Sequence, residues 1–458
     1  MSNPDKMSKN NTTASQKSLA DEYGNLHCRA DKLASGGQGV VFRTTDIDLA
    51  IKQPLDASGS PDKNANLRDR FQNIRLLPLP PRIPISLPLA ILRDEPGYVM
   101  RLLNGMKSFE VFEMNGTTKK ALREAVAAKK QELPKWLAVI PDKDIALRLF
   151  HYANTGSTRR RLFALSKCAS ILARLHSAGL VYGDISPNNV FVGDGDSREV
   201  WLIDADNLRF EMAEGGNSVH TPHYGAPEIV QRRDQSRPRT DCWAFAVMAF
   251  GMLALCHPFI GKKVLEPDND EGGWDAEPAS DGAPTDLDEQ AYAGYLPFID
   301  DEDDDTNAAV SGLPRELVAT PGLRRLFQET FGAGRTQAHR RPSMFFWAIE
   351  LARTFDQSLL CAECKMSYFA ENNQKCPYCD APRSAFIRAK TARWDLLLPA
   401  NTTEFALPRR LFFPFSVEHN DDTEYEANLN FAKKTAIPVR GERQFPDGLT
   451  FDFVEAIK

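Results

Sequence analysis

The chain has no excess of positive charge. Its 56 Lys and Arg are outnumbered by 62 Asp and Glu, for a formal net charge of −6. That argues against the whole chain acting as a nonspecific nucleic-acid binder, which needs a basic footprint. Long apolar runs are also missing. The longest, Trp243–Cys256, spans 14 residues, too short for a membrane helix and suited to a buried helix of a large domain. Met1 to about Ala20 is rich in Ser, Asn, Lys and Thr and lacks the apolar stretch of a secretory signal. It reads as a flexible tail on a soluble, cytoplasmic protein. Without such a signal, the eight cysteines lose most of their weight as a disulfide framework. No repeat of solenoid period is found.

What is present is a globular composition, 42% hydrophobic and 26% charged, over 458 residues. That is too long for one ordinary domain and enough to bury a sizeable core. From about Asn25 to Met100 the pattern predicts strands: Val40–Phe42, Leu49–Ile51, Leu89–Leu92 and Tyr98–Leu102, with a helix over Asp62–Leu77. In Arg160–His176 the apolar positions 162, 165, 168, 172 and 175 mark one helical face, and Gly179 is placed to end that helix. A small β-rich region therefore precedes a larger helical one. Residues from about Glu266 to Asn307 are strongly acidic and read as a solvated insertion, with docking of a basic partner as the sharper alternative. Cys168, Cys242 and Cys256 lie in apolar helical patterns and read as small buried hydrophobes.

Ser35-Gly36-Gly37-Gln38-Gly39 joins two strand-like segments. Glycines let backbone N–H groups approach phosphates, although such turns are common for other reasons. Lys52 ends the apolar Ala50-Ile51 and could set a cation beside that loop. Further on, Asp184 and Asn189 put a carboxylate and a carboxamide on one tight loop, before the apolar run Val190–Val192. One can orient a hydroxyl proton, and the other offers the hard oxygen that Mg²⁺ prefers. Twenty residues after Asp184, the apolar run Val200–Ile203 delivers Asp204. An Asp at a strand end is usually a turn residue; both loops at this separation make coincidence a poor explanation.

In this order the motifs resemble the protein-kinase signature set. Leu33–Phe42 resembles the glycine-rich loop, with Ala34 at its first glycine. Ala50-Ile51-Lys52 resembles the strand-three motif, and Asp184 and Asn189 match the catalytic loop. Asp204-Ala205-Asp206 stands for Asp-Phe-Gly, and Tyr224–Glu228 resembles the end of the activation segment. Asp241–Phe245 resembles the start of the bracing helix, and Arg341 the late arginine. The resemblance implies an α+β, two-lobed fold with a β-rich N-lobe and a helical C-lobe, and a Ser/Thr protein kinase acting on a protein partner, with Ser218 and Thr221 as candidate autophosphorylation sites. Thr221 reads more readily as a structural residue of the substrate loop. ATP would be covered by Gly36, Gly37 and Gly39, touched at adenine by backbone near Met100, and held at its phosphates by Lys52. Asn189 and Asp204 would hold Mg²⁺ or Mn²⁺, and Asp184 would position the acceptor. Glu228–Arg341 would be a structural pair and Asp241 a brace.

There are departures. Tyr182-Gly183 replaces His-Arg before Asp184, so no arginine there answers a phosphorylated loop. Ser186 replaces a lysine, and Asp206 replaces a glycine, which would restrict the metal-loop backbone or add a carboxylate near Mg²⁺. The predicted helix Asp62–Leu77 carries no Glu for Lys52, leaving Asp69, with Gln72 behind it. A pseudokinase scaffold and a small-molecule phosphotransferase remain the alternative readings.

Cys361, Cys364, Cys376 and Cys379 form two Cys-x-x-Cys pairs joined by 11 residues. Two such knuckles close a four-sulfur structural Zn²⁺ site with no open position. Its use would be protein docking; nucleic acid is the weaker reading. The architecture resembles bacterial Hanks-type kinases with a zinc ribbon, found in stress-response and tellurite-resistance systems beside a cognate phosphatase. The expected organisation is a tail over 1–20 and a kinase domain over 21–355 with an acidic insertion at about 264–308. A zinc ribbon over 356–387 and a small β-rich region over 388–458 follow. No membrane contact is expected.

Overall fold

In the computed structural model the described residues are 18–36, 39–56, 58–62, 66–195, 197–212, 220–266, 286–371, 373–412, 423–439, 444–445 and 447–457. Gly37, Ser218, the tail before residue 18 and much of the acidic stretch (267–285) lie outside them. The chain divides into two compact units. One holds the residues up to Leu77, Ile85–Gly105 and Asp204–Asp206; the other holds the remainder.

In the first unit, β-branched and aromatic residues build a six-stranded sheet. Its strands are β1 (Ser18–Ala20), β2 (Leu26–Gly36), β3 (Gly39–Thr44), β4 (Leu49–Gln53), β5 (Pro88–Ile91) and β6 (Tyr98–Arg101). The order is β1-β2-β3-β4-β6-β5, with every neighbouring pair antiparallel. Strand side chains alternate between faces. Ile51 therefore joins Leu19, Ala90, Leu92 and Val99 in one apolar cluster. Lys52, opposite Tyr98 in the register, points the other way. Helix α1 (Asn66–Arg75) buries Phe71 and Ile74, and the Phe71 ring meets Tyr98 edge-on at 4.7 Å. The helix is shorter at both ends than the sequence predicts.

The second unit is built on long helices. Ser157–Ser177 buries the predicted face, and Gly179 (φ 71°) follows its end. Pro238–Ala254 is buried on nearly all sides, as its apolar composition requires. Around it Trp243 stacks on Phe259 at 5.3 Å, and Phe250 meets Phe298, Phe327 and Phe331 edge to face. Part of the acidic stretch departs from the solvated loop expected of it. Leu296, Phe298, Ile299 and Asn307 are buried, and the Asn307 amide donates to Phe259 O (3.0 Å) and Pro297 O (2.8 Å). The acids sit between anchors: Arg315 Nε reaches Asp300 at 2.7 Å, and Asp304 caps a turn through the Thr306 amide. Two three-stranded sheets end the chain, one from Phe386–Lys390, Asp395–Pro399 and Thr450–Val454, the other from Glu404–Pro408, Thr423–Asn430 and Thr435–Pro438. Ile387, Trp394, Leu396 and Leu429 close their core against Ile349 of helix Met344–Asp356.

Candidate active site

The glycine-rich turn lies between β2 and β3, with Gly36 opposite Gly39. A side chain at Gly39 would place Cβ 2.6 Å from Gln53 O, on a backbone of φ 153°. Only glycine fits there. Ala34, opposite Val41, is exposed. Met100 pairs with Ala50 near the end of β6, and the next loop is tied back by Leu102 N to Asp48 O at 2.8 Å.

Lys52 is 5% exposed. Its ammonium donates to Asp204 Oδ1 and, at 2.8 Å, to Asp206 Oδ2. Burial alone would pull its pKa down; Asp206 and Asp204 outweigh that and hold it above the ordinary lysine range. Asp206 is itself buried, and its other oxygen accepts from Tyr98 Oη at 2.7 Å. Burial would raise this carboxyl, yet Lys52 and the Tyr98 hydroxyl keep it below the usual range. Asp204 sits at φ 57°, a left-handed backbone uncommon outside glycine. The expected partner of Lys52, Asp69, is not used: it lies on the exposed side of α1, near the helix start. A single acid on α1 could not identify the inward phase of the helix. Motif reasoning missed Tyr98 and, for Asp206, the pairing with Lys52 in place of a role near the metal. The signal was the Asp-Ala-Asp sequence itself, where a glycine was replaced by a charge.

In the second unit, the strand Leu180–Val181 delivers the catalytic-type loop. Asp241 holds it from below, accepting from Tyr182 N (2.8 Å), Gly183 N (2.9 Å) and His176 Nε2 (3.0 Å). Gly183 turns at φ 85°. Asp184 is 4% exposed. Its Oδ1 accepts from Thr221 N (3.0 Å) and Thr221 Oγ1 (2.8 Å), and its Oδ2 from Asn189 Nδ2 (3.0 Å). The same amide nitrogen reaches Asp184 O at 2.9 Å, which points the carboxamide oxygen away from those acceptors. A carboxamide oxygen of this kind is a hard donor that Mg²⁺ takes. Ser186 is buried, and its hydroxyl has no hydrogen-bond partner among the described residues. Arg341 clasps Glu228 at 2.6 and 2.8 Å, donates to Gly334 O at 2.8 Å and lies over the Trp243 ring at 4.9 Å. A cleft of about 820 Å³ between helix Met344–Asp356 and the C-terminal strands holds none of these residues.

The four cysteines form two matching knuckles. Cys361 N donates to Met366 O and Lys365 N to Cys361 O; Cys376 N donates to Ala381 O and Asp380 N to Cys376 O. Each knuckle ends in a left-handed residue, Lys365 (φ 62°) or Asp380 (φ 57°). All four sulfurs lie within 4.8 Å of one another, with Cys361–Cys379 at 3.7 Å and Cys364–Cys376 at 3.5 Å. Tetrahedral sulfur ligation at ~2.3 Å implies S···S separations of about 3.8 Å, so the donor set fits zinc. The hairpin carrying the first pair docks on the helix Ser157–Ser177, where Ser367 N donates to Ser157 Oγ and Arg159 N to Ser367 Oγ, both at 2.8 Å.

Residues 143–272 match the family model described as protein kinase domain. Ribosomal protein S6 kinase alpha-2 of Homo sapiens is 34% identical over 109 residues, 22% of this chain and 14% of that protein. CBL-interacting protein kinase 26 of Oryza sativa subsp. japonica is 25% identical over 172 residues, 37% of this chain and 32% of the relative. Inhibitor of nuclear factor kappa-B kinase subunit beta of Mus musculus is 25% identical over 148 residues, 28% and 19% of the two chains. The chain thus spans at most about a third of the relatives it matches. Residues 143–272 are thus similar to a protein kinase domain. No described helix is long and apolar enough to cross a membrane.

Proposed function

We propose that the protein transfers the γ-phosphate of ATP, with Mg²⁺ or Mn²⁺, to Ser or Thr hydroxyls of a protein partner. The observation that carries this reading is the braced loop: Asp184 and Asn189 bonded to each other, pinned by Asp241, inside the segment that matches a kinase domain. Phosphoryl transfer needs positioning and charge stabilisation more than covalent chemistry. Asp184 orients the acceptor hydroxyl and takes its proton. Lys52 steadies the α- and β-phosphates, and the backbone of the glycine-rich turn covers them. Asn189 and Asp204 would hold the metal, whose charge would offset that on the transferring group. Thr221, bonded to Asp184 through both amide and hydroxyl, is better suited to fixing the loop than to accepting phosphate.

On this reading the kinase domain runs over 21–355, a zinc-binding ribbon follows over 356–387 and serves docking, and the β-rich end begins near 388. A bacterial, cytoplasmic signalling role beside a cognate phosphatase fits the resemblance. The test is a labelled-ATP assay with wild type and Asp204→Asn on protein and small-molecule acceptors, with products identified by mass spectrometry. Label on Ser or Thr of a protein, lost in the variant, is expected. Equal signal from both sinks the mechanism, and label on a small molecule alone moves the enzyme to another class.

A further inference from the structure

We propose that Asp206 is the acid that positions Lys52, the part that the kinase resemblance assigns to a helix glutamate. The inference rests on the kinase reading above. Helix α1 cannot supply that acid, because its one carboxylate, Asp69, faces solvent. Asp206 occupies the third position of Asp204-Ala205-Asp206 and is 8% exposed. One of its oxygens takes the Lys52 ammonium at 2.8 Å, and the other takes the Tyr98 hydroxyl at 2.7 Å. Its backbone carbonyl accepts from Arg70 Nε of α1 at 2.8 Å. Strand β4, strand β6 and the helix therefore converge on this residue, and the helix reads the loop through Arg70.

Asp204 is a poorer candidate for the same task. It too bonds Lys52, but a metal ligand must share its carboxylate with the ion. Asp206 has no such second duty. Turning it to a metal would break the bonds that its two oxygens make to a buried ammonium and a buried hydroxyl. Lys52 thus keeps a fixed counter-charge while Asp204 is committed to the metal. Because the two acids are two residues apart on one turn, a shift of the metal loop moves the phosphate-binding lysine with it. Asp206 is accordingly a positioning residue, acting on the phosphates only through Lys52.

The test uses the full-length protein and a fluorescent N-methylanthraniloyl ATP, titrated with Mg²⁺ and separately in EDTA. Asp206→Asn is expected to weaken nucleotide binding about tenfold under both conditions and to raise KM for ATP more than it lowers kcat, while Asp206→Glu recovers most of the loss. In a Lys52→Met background the same change adds less than about twofold, the non-additivity of two residues that act as one. Tyr98→Phe, which loosens Asp206 without touching its charge, is expected to cost about threefold alone and nothing further on Asp206→Asn. It serves as the decisive variant if thermal unfolding shows Asp206→Asn to be misfolded. Wild-type binding with an unaffected Asp206→Asn overturns this inference alone. So does a loss seen only with Mg²⁺ that multiplies with Lys52→Met, which makes Asp206 a metal ligand. Absence of nucleotide binding by the wild type overturns the kinase reading and this inference together.

Discussion

Replacing Asp241 by Asn isolates the brace under the catalytic-type loop. The change is nearly isosteric, so it alters bonding and not packing. Asp241 accepts two backbone amides, Tyr182 N at 2.8 Å and Gly183 N at 2.9 Å, and His176 Nε2 at 3.0 Å, with 1% of its surface exposed. An asparagine keeps one oxygen and presents an NH₂ where a second acceptor stood. At least one donor is then left facing another donor in a buried site. A bond to a charged acceptor contributes ~1.5–3 kcal/mol, and a stranded buried donor costs ~1–3 kcal/mol. A net penalty of about 3 kcal/mol on the native loop is therefore reasonable, and at ~1.4 kcal/mol per decade it becomes roughly a hundredfold fall in kcat. The assay is labelled phosphoryl transfer at saturating ATP, with urea denaturation to show that the variant is folded. A folded Asp241→Asn protein whose kcat stays within threefold of wild type would refute the claim that these bonds set the loop for chemistry.

Glu228→Ala leaves the buried Arg341 guanidinium without its carboxylate and should cost ~3–5 kcal/mol in urea unfolding, whereas the paired Glu228→Leu, Arg341→Met recovers most of that. Phosphatase treatment of the purified protein should leave activity in place, because Gly183 stands where an arginine would answer a loop phosphate; abolished activity would contradict this. Elemental analysis should find one zinc per chain, lost in Cys364→Ser, and its removal should speed amide exchange at Ser367 before it disturbs Lys52. Asp21 accepts from Tyr23 N, Asn25 N and His27 Nε2; burial would raise its pKa, but these bonds hold it down to about 2. A depressed folded-state pKa gives stability that is present above the unfolded value near 3.8 and lost as pH falls toward 2. Asp21→Asn should therefore be less stable than wild type at pH 6, with the gap closing as pH falls from about 4 through 2, measured by thermal unfolding.

What the sequence made legible was local, and what it hid was not. Asp184 and Asn189 are five residues apart, so one tight loop can join them, and in the structure it does at 3.0 Å. Each cysteine knuckle is likewise complete within a few residues, so spacing alone predicts converging sulfurs. Ala50-Ile51-Lys52 announces a buried strand with one cation because the apolar neighbours must face inward. The partner of that cation was illegible. Lys52 and Asp206 are separated by 154 positions, and no period or spacing connects them. Charge counting misread the acidic stretch for a related reason: the average over many acids concealed Leu296, Phe298 and Ile299, which enter the aromatic core. Both misses concern charges whose neighbours come from distant chain. Composition treats such charges as solvated, and only tertiary packing shows which have left water. At Asp206 that departure is the informative event. A carboxylate substituted for glycine in a metal loop would be costly if unpaired, and the missing helix glutamate leaves one buried ammonium in need of it. The two departures from the kinase pattern, read separately as defects, compensate each other.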